Sequence, residues 1–494
     1  MRNIFNRLNQ STSASTQVGV YGSSRASTFI KDCMAGLDSV DVVTVGDSNA
    51  GNGNSGYQCG LAYSFTNFGM SLYATPIAPT ADAAGANNRS GTMFLPHNKF
   101  NWTGASTAGS TGIVLALTSA ATSLLAPAVE LETTLGYNKT ILPKPNAFEW
   151  NAAYVNTAIT YTSPGNGTAV KIFPSSPMAN GTGAAGVSLQ YRLVYGTFSQ
   201  TGGSFKLAAM KGVNTLITGT QSPAGTISTA GGTGVATATY SFSSPATVSV
   251  PQELFCSYDG YAGATSSVVG PFAAIYHSVI ELKKGYCVSN MIYDGGKTTA
   301  QLADRVEGMG LLAGQLLPTY LKELKERQVA AGGTGRIVVW CNSGVNGPDT
   351  GASWTLNAER IKQAFKTAWV ANGFDLGNLA FIFSVTHPQD AGATETTLIS
   401  TRTSANAWAS TNAGDGTGTC VVDISALWTY SKLLNNRLYD ITSNAPYYAH
   451  LRGNANTNIT TTSGLYTAGN YYDLLGLNNG YEIVCNSILT ELIK

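Results

Sequence analysis

Residues 40–53 read VDVVTVGDSNAGNG, and the fold turns on how the apolar half of this stretch meets the polar half. The β-branched run 42–45 favours an extended chain packed on both sides, because Val and Thr fit a pleated surface and are stiff at χ1. Gly46-Asp47-Ser48-Asn49 then stops the run with residues whose side chains bond their own backbone in turns. A strand without an alternating polar face belongs in a parallel sheet covered by helices. The loop after such a strand is where open α/β sheets build their binding sites. Ser48 is therefore either a nucleophile presented at the rim of a sheet or an ordinary turn residue, and the stretch alone leaves both open.

Working outward, the pattern after residue 285 alternates between strands and helices. Strands are predicted at 286–292, 336–341, 379–385 and 421–427, and helices at 298–328, 356–370, near 428–438 and at 481–493. Such alternation implies a parallel sheet covered on both faces, with 40–48 as its first strand behind a short helix at 29–37. Between about 152 and 281 the character differs. Short alternating strands at 187–194, 204–209, 215–218, 234–242, 247–250 and 272–282, separated by Gly, Pro, Ser and Asn turns, predict a β-sandwich or jelly roll. The expected organisation is a polar arm at 1–28, the first part of an α/β domain with long loops at 29–140, an inserted β-rich domain at 141–282, and the rest of the α/β domain at 283–494. Tyr191, Tyr195, Tyr240, Tyr258 and Tyr261 fall in the β-rich part, where they fill a core or form a row on which sugars stack.

Composition excludes several classes of function. The 494 residues carry 28 basic and 27 acidic side chains, so there is no basic field to attract nucleic acid or a membrane surface. No run of about 18 apolar residues is present to span a bilayer. The first residues, MRNIFNRLNQSTSAST, lack the apolar core of a signal peptide, so if the protein leaves its cell, another route is expected. Seven scattered cysteines, never spaced as Cys-x-x-Cys, indicate neither a zinc site nor a disulfide framework, and no metal or cofactor is expected. Abundant Gly, Ser, Thr and Asn resemble the make-up of extracellular and virion proteins.

For Ser48 to act as a nucleophile it needs a proton acceptor and donors aimed at a developing oxyanion. Four histidines are available: His97, His277, His387 in Thr-His-Pro after a predicted strand, and His450 near the C-terminus. His387 reads first as a structural residue, with a place in the cleft in reserve. Donors are offered at two further strand ends. Asp294-Gly295-Gly296-Lys297-Thr298-Thr299 lets a backbone N–H approach an anion, with a threonine capping the next helix, and Asn342-Ser343-Gly344-Val345-Asn346 offers the Asn346 amide.

Gly46-Asp47-Ser48, Gly296-x-Thr-Thr and Gly344-Val345-Asn346, each following a predicted strand and in this order, resemble the first three blocks of the SGNH/GDSL hydrolase family. The resemblance covers roughly residues 38–52 and 285–494. It implies a flavodoxin-like three-layer α/β sandwich and a serine esterase or deacetylase. Ser48 would be the nucleophile, with the N–H groups of Ser48 and Gly296 and the Asn346 side chain as the oxyanion hole; Gly295 is the alternative to Gly296. The fourth block, Asp-x-x-His, is altered: His450 stands in the right region, yet residue 447 is Tyr. Either His450 is the base, oriented by a carbonyl or by a carboxylate such as Asp440, or the block has decayed. The expected substrate is an O-acyl, most plainly O-acetyl, polysaccharide. The competing expectation is a non-catalytic phage fibre, spike or decoration protein, docked on virion proteins through the arm and self-associating as a homo-oligomer.

Overall fold

The protein was analysed as a computed structural model. It describes residues 19–47, 49–50, 56–74, 186–197, 204–211, 215–231, 234–244, 274–293, 297–344, 346, 351–390, 393–436, 438–439, 450–451 and 480–494, with short strands at 104–105, 113–114, 169–172 and 254–257. In chain order, β1 (Val20–Gly22) and α1 (Arg25–Met34) lead into β2 (Val40–Gly46) and α2 (Tyr57–Asn67). A β-rich stretch follows, with its main sheet formed by β3 (Ser188–Thr197), β4 (Gly219–Ser222), β5 (Gly234–Ser243) and β6 (Ala274–Glu281). The chain continues through β7 (Tyr286–Tyr293), α3 (Thr299–Gly308), α4 (Leu316–Ala330), β8 (Ile337–Ser343), α5 (Gly351–Ala371), β9 (Leu379–Val385), α6 (Ala393–Asn412), β10 (Thr419–Asp423) and α7 (Gly480–Leu492).

The central sheet is mixed. Its order is β1-β10-β9-β8-β2-β7; β1 runs antiparallel to β10, and every other pairing is parallel. Counted along the chain, the five parallel strands lie in the order second, first, third, fourth, fifth, a doubly wound arrangement whose direction reverses at β2. β7 and β8 therefore flank β2, and register brings three strand ends level: Tyr293 and Asn342 both pair with Gly46.

The run that reads as buried in the sequence is buried. All residues of β2, β8, β9 and β10 are enclosed, and their side chains alternate between two cores as the period of two requires. Val42, Val338, Trp340 and Ile382 meet Phe29 and Ile30 of α1, Leu61 and Phe65 of α2, and Val484 and Ile488 of α7. Val43, Val45, Val339, Phe381 and Phe383 meet Leu302 of α3, Leu321 of α4, Phe365 of α5 and Ala405 of α6.

The β-rich stretch contains a separate four-stranded antiparallel sheet in the order β4-β5-β3-β6. It is tied to the central sheet's helical cover by Arg192 of β3. Its guanidinium forks onto Glu323 of α4, Nε to Oε1 at 2.6 Å and Nη2 to Oε2 at 3.0 Å, with both side chains buried. Tyr191, Tyr195 and Tyr240 are buried in its core, so these three form no sugar-stacking row; Tyr258 and Tyr261 lie outside the described residues.

Several expected boundaries change. The helix expected at 298–328 is two helices, broken where Gly310 and Gly314 take φ of +78° and +84°, a conformation that strains any side chain. The strand expected at 421–427 stops at Asp423, whose carboxylate accepts the Ala426 N–H at 3.0 Å and caps a short helix, Ile424–Leu427. The strand expected at 204–209 is two pieces, Ser204–Phe205 and Ala208–Lys211, in different sheets. Val20–Gly22, within the stretch read as an arm, pairs with β10, and α2 arises where no element was expected. The strand expected at 247–250 lies outside the described residues.

Candidate active site

At the end of β2 the chain turns under tight constraint. A Cβ on Gly46 would lie 2.1 Å from the Asn342 carbonyl oxygen and 2.8 Å from the Ala50 Cβ, so glycine is what lets β2 and β8 finish in contact. Asp47 is buried, and its Oδ1 accepts the Asn49 N–H at 2.9 Å, while the Ala50 N–H donates to the Asp47 carbonyl at 3.0 Å. These bonds hold Asp47, Asn49 and Ala50 in a turn at the end of β2. Ser48 itself lies outside the described residues, as do Gly295 and Gly296.

The second block enters from the other side of β2. Thr298 caps α3 in a capping box: its Oγ1 accepts the Gln301 N–H at 3.3 Å, and its own N–H donates to Gln301 Oε1 at 3.1 Å. Thr299 Oγ1 then donates to Ser343 Oγ at 3.0 Å. Thr299 follows β7 and Ser343 ends β8, so this bond closes over the end of β2 that lies between them. The bond ties the first turn of α3, the positive end of its dipole, to the end of β8.

The third block follows β8. Gly344 turns the chain with φ +105°, and Asn346 comes to rest half-buried. Its Nδ2 is buried and has no hydrogen-bond partner among the described residues. An unpaired buried donor costs about 1–3 kcal/mol. At the rim of a site that cost is offset when a bound oxygen accepts from it.

Leu451, the residue after His450, is tied to the loop that follows β2. The Leu451 N–H donates to Tyr481 Oη at 3.3 Å, and that hydroxyl donates to Asn49 Oδ1 at 2.7 Å, one residue beyond Ser48. Tyr481 sits on α7, its ring and that of Tyr57 packed edge to face with centroids 5.2 Å apart at 82°. Gly60 allows this approach, since a Cβ there would lie 2.6 Å from the Tyr481 carbonyl oxygen. One tyrosine thus joins the backbone beside His450 to the loop that follows β2. Tyr481→Phe leaves both an amide N–H and an amide oxygen without a partner, so kcat for ester hydrolysis is expected to fall roughly tenfold with KM unchanged, and unfolding stability by about 1–3 kcal/mol. Parallel kinetics and urea titrations check this. An unaltered kcat would make Tyr481 a packing residue only.

His387 is fully buried, and its Nδ1 lies 3.0 Å from Tyr57 Oη. Burial pushes the Tyr57 hydroxyl well above its usual range, so it stays protonated. His387 is accordingly a hydrogen-bonded core residue. Asp440 and Tyr447 lie outside the described residues, as does His97, and of His277 the backbone lies in β6. Asn49 and Tyr481 are the residues of this region that the sequence does not single out. Asn49 alone carried a signal, its place beside Ser48. Among the described residues no cluster of metal-ligating side chains occurs, and no helix is long and apolar enough to cross a membrane.

No family model matches the chain, and no curated protein matches it. Among solved structures it is similar to a carbohydrate esterase family 2 enzyme with a carbohydrate-binding domain from Corynascus thermopiles (Myceliophthora fergusii), at 16% identity, 57% of this chain, 88% of that one and a TM-score of 0.15. An acetyl xylan esterase, Est2A, from Butyrivibrio proteoclasticus gives 11% identity over 57% of this chain and 86% of that one, with a TM-score of 0.16. The C-terminal CBM6 of LamC, a marine laminarinase from Zobellia galactanivorans, gives 14% identity over 25% of this chain and 79% of that one, with a TM-score of 0.15. Carbohydrate esterases and a carbohydrate-binding module thus stand among its distant structural neighbours, but TM-scores this low carry no argument about fold or activity.

Proposed function

We propose that the chain is an SGNH-type serine ester hydrolase that removes O-acyl groups, most plainly acetyl, from a polysaccharide. The observation that carries this reading is convergence. The strands preceding Ser48, Gly296 and Asn346 are three neighbours in one sheet, ending level, and the Thr299–Ser343 bond closes across the middle one. The strand order also fits the flavodoxin-like sandwich that the resemblance implies.

In this reading Ser48 Oγ attacks the ester carbonyl carbon while His450 takes its proton. The oxyanion is held by the N–H groups of Ser48 and Gly296 and by Asn346 Nδ2, at the positive end of α3. Collapse breaks the bond to the alcohol oxygen, which leaves with the proton from His450. Water, deprotonated by the same imidazole, then attacks the acyl-enzyme and releases the acid and free Ser48. The O-acyl polysaccharide as substrate follows from the resemblance, and a place on a virion or outside the cell suits the sparse charge and polar composition.

A fluorophosphonate probe tests the nucleophile directly, because an activated serine displaces fluoride from phosphorus and keeps the phosphonyl group. One adduct per chain, mapped by mass spectrometry to the peptide containing Ser48 and absent from Ser48→Ala, is expected. No adduct, or an adduct elsewhere, overturns the reading.

A further inference from the structure

Two buried polar side chains at the rim of the central sheet lack partners. Asn342, next to last in β8, is 1% exposed, and both ends of its amide, Oδ1 and Nδ2, are enclosed with no hydrogen bond among the described residues. Thr386, the residue after β9, is 2% exposed, and its Oγ1 is in the same condition. Turning the Asn342 amide over cures nothing, since its donor and its acceptor are both unpaired. Buried groups of this kind are costly until hydrogen-bonded, so two on adjoining strands require a partner.

The register brings them together. Asn342 lies beside Ser384 of β9, and the Trp340 indole N–H donates to Ser384 Oγ at 2.7 Å, so Trp340 and Ser384 share the face that packs on α1, α2 and α7. Alternation carries Asn342, two residues past Trp340, and Thr386, two past Ser384, to that same face. On its other flank Asn342 pairs with Gly46, which has no side chain to offer it. Strands about 4.8 Å apart, rising about 3.3 Å per residue, set Asn342 and Thr386 roughly 8 Å apart at Cα. Two short side chains leave a gap there that a water at about 2.8 Å from each fills.

We propose that Asn342 and Thr386 form an internal water site. The residues select the ligand: an amide and a hydroxyl offer both donors and acceptors and no charge, and side chains this enclosed admit nothing larger than water. The water accepts from Asn342 Nδ2 and donates to Thr386 Oγ1. It thereby extends the tie between β8 and β9 past Ser343 and Val385, where their backbone ladder ends. The site stands whether or not the chain hydrolyses esters, since no reacting group takes part in it.

A crystal structure of the full chain, at a resolution that shows ordered water, is expected to contain a density peak about 2.7–3.2 Å from both the Asn342 amide and Thr386 Oγ1, and to lack it in the double variant Asn342→Leu with Thr386→Val. A wild type whose Asn342 amide bonds directly to protein, or faces no such peak, overturns the site. Urea unfolding supplies a second readout, whose sign separates the cases. With the water bound, Asn342→Leu removes its bonds and strands Thr386 Oγ1, so the midpoint should fall, and adding Thr386→Val should recover part of the loss. With the amide unpaired, a leucine of similar size relieves a buried polar group and the midpoint rises, which overturns the proposal. If Asn342→Leu does not fold, the wild-type density alone decides.

Discussion

Ser48→Ala is expected to cost on the order of 10⁶-fold in kcat toward p-nitrophenyl acetate, and Asn346→Ala about 10²–10³-fold, each with little change in KM. The gradation follows from what the proposed reaction asks of each group. Without Ser48 no acyl-enzyme forms, and catalysis retains only what the remaining donors give to attack by water. Without Asn346 the nucleophile and base persist, while the oxyanion loses one of its donors. Because Nδ2 of Asn346 is buried and unpaired among the described residues, it contributes no competing bond in the free enzyme that substrate must break. Single-turnover kinetics on p-nitrophenyl acetate separate the acylation step that both changes affect. If Asn346→Ala acylates as fast as wild type, the third block is a turn and the convergence at the sheet rim is not catalytic.

Asp41→Ala is expected to lower unfolding stability by about 3–5 kcal/mol without touching the chemistry. Asp41 and Arg327 are both fully buried and form an ion pair; Gln328 Nε2 also donates to the Asp41 carboxylate at 3.1 Å, and Tyr73 Oη donates to it as well. Burial alone would lower the Arg327 pKa, yet the carboxylate beside it holds it well above the usual arginine range, so the guanidinium remains charged. Removing Asp41 strands that charge in the core. The double change Asp41→Leu with Arg327→Met is expected to cost much less, because neither partner is left unpaired. Asp41 precedes Asp47 by six residues of strand, roughly 20 Å at about 3.3 Å per residue, so the folded single variant should keep its kcat. Urea titrations of the two variants decide the matter: equal stabilities would mean that the pair is not an energetic unit.

Asp41 also marks a limit of reading from sequence. In VDVVTVG it is one acid in an apolar run, and nothing local reveals that its partner lies 286 residues away on α4. The same holds for Tyr481, which meets Asn49 across 432 residues. For His387 the sequence favours a structural residue, and the fold shows what the sequence could not, that the ring is enclosed with Nδ1 3.0 Å from Tyr57 Oη.

The sequence by itself determined what short-range physics controls. β-branched runs made strands, glycine and Asx residues ended them, and Thr298 with Gln301 set the start of α3; each depends on contacts within a few residues. The tertiary structure alone decided which strands are neighbours, that β7 and β8 should bracket β2, and which buried charges found partners. Those outcomes are set by burial and hydrogen bonding between groups far apart in the chain, whose free energies exist only once the two cores have closed around the sheet.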